Sequence, residues 1–161
     1  MKTMKTLLLL IGLALSYTAS AQWTYKTIDN GFDPPYRIAY TVENKGSWLK
    51  LENTGDGVFF YISGGYTCDD ELTVDLSFMV NGAYKKYTFN AATSSDRETV
   101  FFIDNLLAET CLDDFKACSS IKLRVNDTTC DSGIYEFKMT GSTAALNFVS
   151  KPWNTLSSPM I

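Results

Sequence analysis

Hydrophobic and polar positions alternate with a period of two along most of the chain. Leu72, Val74, Leu76, Phe78 and Val80 alternate with Thr73, Asp75, Ser77 and Met79, as in a strand that buries one face. Asn81-Gly82 follows, and a second run covers residues 84–89. Both turn residues tolerate positive φ, so this order predicts a tight hairpin. Ile121, Leu123 and Val125 alternate with Lys122, Arg124 and Asn126, and Tyr135, Phe137 and Met139 alternate with Ile134, Glu136 and Lys138. The turn-rich link 127–133 between these runs predicts a second hairpin. Residues 23–28, 36–42 and 48–51 read as further strands, and Asp33-Pro34-Pro35 as a rigid, non-helical connection.

Two segments, 58–62 and 100–103, are apolar on both faces. Short runs rich in Val, Phe and Ile belong to central strands, and such strands call for cover on both sides. Helix signals are few. Residues 105–116 allow a short helix with Leu106, Leu107 and Phe115 turned inward. Residues 142–148 allow a second, capped by Ser142 or Thr143. The expected fold is all-β, an antiparallel β-sandwich of about nine short strands with one or two short helices. The doubly apolar segments favour the sandwich over a flattened barrel.

The first 21 residues follow another pattern. Lys2 and Lys5 precede an apolar run from Leu7 to Leu15, and Ala19-Ser20-Ala21 closes it. That order is the pattern of a cleavable secretory leader. The run is shorter than the roughly 20 apolar residues of a membrane span. No second long apolar segment follows, so no transmembrane anchor is expected in the mature chain. The expected organisation is a leader at 1–21, one β-sandwich domain at 22–149 and a loosely ordered tail at 150–161. Losing Lys2 and Lys5 takes the formal net charge from −4 to −6. With no cluster of Lys or Arg, a nucleic-acid partner is not expected.

Cys68, Cys111, Cys118 and Cys130 form an even set in a chain expected to reach an oxidising compartment, which reads as two disulfides. Of the three possible pairings, Cys111–Cys118 with Cys68–Cys130 is favoured. The first closes a short acidic loop and the second ties strand ends together. A zinc site built from all four thiolates is the rival, but the C-x₂-C spacing is missing.

Candidate chemistry is narrowed by the lack of any histidine, which removes Ser-His-Asp and Cys-His catalysis and imidazole ligation. No P-loop or Rossmann glycine pattern occurs, and Gly55-Asp56-Gly57 and Gly64-Gly65 read as turns. Carboxylates remain. Asp69, Asp70 and Glu71 follow Cys68, Asp113 and Asp114 lie between Cys111 and Cys118, and Asp127 and Asp131 flank Cys130. If the disulfides gather these loops at one rim, Asp69, Asp70, Glu71, Asp113 and Asp114 are candidate oxygen ligands for Ca²⁺. The plainer reading is solvated acidic loops, since no D-x-D-x-D-G loop is present. Paired carboxylates also hydrolyse glycosidic bonds, but nothing in the spacing marks out a pair. Among the aromatics, Trp23, Trp48 and Tyr84 are the candidates for stacking on a sugar or anchoring a protein partner. Their plainer reading is core. Asn126-Asp127-Thr128 matches a glycosylation sequon.

The stretch Tyr135-Glu136-Phe137-Lys138-Met139-Thr140-Gly141-Ser142-Thr143-Ala144-Ala145-Leu146 reads as a last strand running into Gly and a short helix. It resembles the ending of small exported bacterial proteins of the invasion-associated locus B type. The resemblance implies a bacterial periplasmic or secreted β-sandwich and carries over no catalytic residue. These readings lead to an exported protein, periplasmic or extracellular, that acts without catalysis by surface binding to a glycan or protein partner. The alternative expectation is a small exported hydrolase using carboxylate acid–base chemistry.

Overall fold

A computed structural model of the chain describes residues 23–53, 57–63, 65, 67–103, 111–130 and 133–151. Its strands are β1 (Thr24–Ile28), β2 (Tyr36–Val42), β3 (Trp48–Asn53), β4 (Val58–Ser63), β5 (Glu71–Val80), β6 (Ala83–Thr93), β7 (Thr99–Phe102), β8 (Ser120–Asn126) and β9 (Ile134–Lys138). Two short helices accompany them, α1 (Leu112–Ala117) and α2 (Ser142–Val149). The expected leader and residues 152–161 of the expected tail lie outside the described residues, as do Leu106 and Leu107.

All nine strands join one antiparallel sheet in the order β1-β2-β3-β4-β7-β6-β5-β8-β9. The all-β class is therefore as expected, but among the described residues the strands do not divide into two packed sheets: the one sheet is open, with β1 and β9 at its edges. Local sequence explains the hairpins. Asn81 and Gly82 sit at φ 51° and 81°, and Val80 pairs directly with Ala83, as a two-residue turn requires. The pair β5–β6 lands away from β4. β7 then folds back between β4 and β6 and joins the two halves.

Directly opposed residues on neighbouring strands point to the same side. Ala39 opposes Leu51 and Leu51 opposes Phe60. Phe102 opposes Ala91, and Ala91 opposes Leu72. Leu76 opposes Leu123, which opposes Tyr135. These rows make one apolar face across the sheet, and its second layer is helical. Phe115 of α1 is fully buried, with its ring 5.2 Å from that of Phe60 on β4 and 6.4 Å from that of Phe78 on β5. α2 packs on β2, β3 and α1 and buries Ala145, Leu146 and Val149. Two helices thus cover the face that a second sheet was expected to cover.

The helix caps differ from expectation. Gly141 is the N-cap of α2, at φ 90°, where a Cβ would also lie 3.3 Å from the Trp23 ring. The Ser142 and Thr143 hydroxyls donate instead to the carbonyls of Phe115 and Lys116, each at 3.2 Å. They tie α2 to the end of α1. After α2, the chain is held by Asn53 Nδ2 donating to the Val149 carbonyl and Arg37 Nη1 to that of Lys151. Among the described residues no helix is long and apolar enough to cross a membrane.

Candidate functional site

The opposite, outer face of the sheet carries the residues that alternate with the core. On β4 and β7, neighbours at the sheet's centre, these are aromatic: Phe59, Tyr61 and Phe101. The register lines up Tyr40, Lys50, Tyr61 and Phe101 in one row across β2, β3, β4 and β7. Every member of the row is half-buried. The Tyr61 and Phe101 rings are 6.3 Å apart. Lys50 Nζ lies 4.0 Å from the centre of the Tyr61 ring and 5.7 Å from that of Trp48. It is held there by the Glu52 carboxylate. Lys26 sits 5.5 Å from the Tyr40 ring. Burial pushes the Tyr61 phenol above its ordinary value, and the charges of Glu52 and Tyr36 add to the effect. Both helices pack against the other face, so among the described residues no helix or strand covers this row.

The same face continues over β6, β5, β8 and β9 as a groove. Side-chain length makes it. Ser77 on β5 is short, and its cross-strand neighbours on either side are Lys86 and Lys122. A short residue between two long ones leaves a hollow along the central strand. The hollow measures about 440 Å³ and also takes in Asp75, Tyr84, Thr88, Arg124 and Ile134. Arg124 donates to Asp75 at 2.6 Å and Thr88 does so at 2.7 Å. Those hydrogen bonds, Arg124's first, hold the Asp75 carboxyl down at about 2. The Lys122 ammonium lies 5.4 Å from the Tyr84 ring centre. Its hydrogen bond to Tyr84, with the charge of Glu136, holds it above the ordinary lysine value.

Of the aromatics singled out from sequence, Trp48 lies on the outer face and Tyr84, 46% exposed, walls the groove. Trp23 does not belong to a surface. It is 5% exposed, because its ring, just ahead of β1, packs against Gly141. That expectation is corrected.

The cysteines divide. Cys68–Cys130 is a disulfide, and it forms because the start of β5 lies beside the end of β8. The expected Cys111–Cys118 bond is absent. Both residues are buried thiols at the two ends of α1. Seven residues of helical rise separate them by about 10 Å, beyond the roughly 7 Å that a disulfide allows between Cα atoms. With two sulfurs bonded to each other and the other two at opposite ends of α1, the four cysteines do not form the zinc site.

The acidic residues are also spread out. Asp69 accepts from the Thr128 backbone and the Thr129 hydroxyl. Hydrogen bonds from Thr128, then Thr129, hold its pKa below the usual range. Asp70 pairs with Arg97 at 2.8 Å. Glu71 is exposed opposite Ala92, and Asp113 is exposed on α1. Asp114 turns inward to Lys85 and Tyr87. The five carboxylates considered for Ca²⁺ are not brought together among the described residues. The one close set of potential ligand atoms there is Cys68, Asp127 and Cys130, and its sulfurs are spent on each other. Asp127 instead organises the disulfide corner, accepting backbone N–H groups from Cys68, Thr129 and Cys130. Partial burial opposes its ionisation, but these donors outweigh that and bring its pKa to about 2. In the sequon, Asn126 Nδ2 donates to the Thr73 hydroxyl and Thr128 Oγ1 donates to Asp69.

Searches against protein-family models, curated proteins and solved structures find no match to this chain. The likeness of its last strand and helix to the invasion-associated locus B type rests on those residues alone. Lys86, Lys122 and Ser77 did not stand out in the sequence. Strand alternation puts each on a polar face, but it does not say that β6 and β8 flank β5. Tyr61 and Phe101 lie in segments that are apolar on both faces, a pattern that calls for cover on both sides and so points away from an open surface.

Proposed function

We propose that this is an exported protein, working in the periplasm or outside the cell, that recognises a glycan on the outer face of its sheet without transforming it. The observation that carries the reading is the uncovered row of Tyr40, Lys50, Tyr61 and Phe101, with Trp48 beside it. Rings alternating with an ammonium suit a sugar. C–H faces pack on aromatic rings, while hydroxyls bond to the lysine and the phenols. Strands in mid-sheet hold these groups at fixed spacing, so little ordering is needed on binding. Hydrolysis is less well supported. The carboxylate in the groove, Asp75, is tied to Arg124 with its pKa near 2, and a group held so low stays ionised near neutral pH and makes a poor proton donor.

A panel of immobilised oligosaccharides tests this with the intact mature chain and its Trp48→Ala and Tyr40→Ala variants. Binding to at least one glycan class is expected. Each variant should weaken it by about tenfold, equivalent to ~1.4 kcal/mol, while still showing the cooperative melt of a folded protein. A wild-type protein that binds no glycan, or variants that bind as well as wild type, would contradict the proposal.

A further inference from the structure

We infer that the groove over β5 is the subsite for a negatively charged sugar residue, carboxylated or sulfated, held between the ammonium groups of Lys86 and Lys122. The inference rests on the glycan reading of the outer face and names the substrate class.

Charge arrangement is the first support. The chain as a whole is acidic, with a formal net charge of −4, yet the groove collects Lys86, Lys122 and Arg124 against the single carboxylate of Asp75. That carboxylate is already committed, since Arg124 lies 2.6 Å from it. Glu136 stands 3.8 Å from Lys122, and both side chains are open to solvent, so it compensates that charge weakly. Lys86 has no acidic partner among the described residues. Two ammonium groups thus face each other across Ser77 with little to balance them. An anionic group seated over Ser77 supplies the missing charge.

Shape and chemistry narrow the anion to one carried on a sugar. A hollow of about 440 Å³ falls in the range of small-ligand sites. A bare inorganic anion would leave most of it empty. Tyr84, 46% exposed, and Ile134, 65% exposed, offer apolar contact at the wall. Ser77 contributes a hydroxyl at the floor. The groove also opens on the same face as the aromatic row, because Asp75 and Ser77 share a side of β5 with Glu71, whose partner Ala92 opposes Phe101.

The test uses three oligosaccharides of one backbone and length: an oligogalacturonate, its carboxyl-reduced neutral form and a sulfated form of the latter. Each is titrated calorimetrically into the intact mature chain and into Lys86→Gln, Lys122→Gln, the double variant and Trp48→Ala. Both lysines are on the surface, and melting curves confirm that the variants fold. At least one charged oligomer should bind on the order of tenfold tighter than the neutral one. That preference should collapse in the double variant and at high NaCl, leaving neutral binding unchanged. Comparing the carboxylated and sulfated arms identifies the anion. If the neutral oligomer binds as well as both charged ones, or the double variant keeps the preference, the inference is overturned. Should Trp48→Ala still weaken neutral binding in that case, the glycan reading survives alone. If none of the three binds, the inference is overturned, and the glycan panel decides the reading it rests on.

Discussion

The Asp114 carboxylate is almost fully buried beside β6, where it accepts from Lys85 Nζ at 2.6 Å and from the Tyr87 hydroxyl. The hydrogen bond from Lys85, then that from Tyr87, holds its pKa below the usual carboxylate range. The same contact with Asp114 pushes the Tyr87 phenol up to about 12. Asp75 and Asp127 are held at about 2. Because these folded-state values lie below the unfolded value near 4, their stabilisation is fully present above about pH 4 and is lost as pH falls towards 2. Urea midpoints measured from pH 7 to pH 2 should therefore fall mainly in that acid window. Asp114→Asn should lower the midpoint at pH 7 and make the acid loss smaller than in wild type. A variant with an unchanged acid slope would contradict this role. At this scale the sequence was a poor guide. Asp114 read as one acid in a loop cluster, and its partners lie 29 and 27 residues away. No local pattern could reveal them.

Elements were legible where they depend on near neighbours. Asn81-Gly82 dictates its hairpin through two residues that accept positive φ, and the alternation in β5 and β8 correctly names the buried side of each strand. Around α1 the expected short helix is present over Leu112–Ala117 with Phe115 in the core, and that same helix holds Cys111 and Cys118 apart, so the disulfide expected between them does not form. Peptide mapping of the unreduced protein should find the Cys68–Cys130 cross-link and no Cys111–Cys118 cross-link. Burial pushes the Cys118 thiol up to about 12, so it should resist alkylation in the native protein and react after unfolding. A Cys111–Cys118 cross-link would contradict the helix placement.

For the whole molecule, the sequence showed that β4 and β7 are apolar on both sides but not what covers them. Two helices serve the inner side, placed by pairings between distant segments that periodicity does not encode. On the outer side the aromatic residues of β4 and β7 stay half-exposed, and the proposed function starts from that surface. Two of the three indoles give it a direct test, since Trp48 lies on the outer face and Trp23 is buried under the inner one. In a ¹⁵N-labelled protein titrated with the oligosaccharide selected by the glycan panel, the indole N–H resonance of Trp48 should shift while that of Trp23 stays in place. Saturating ligand that leaves Trp48 unmoved, or that moves Trp23 instead, would contradict recognition by the outer face.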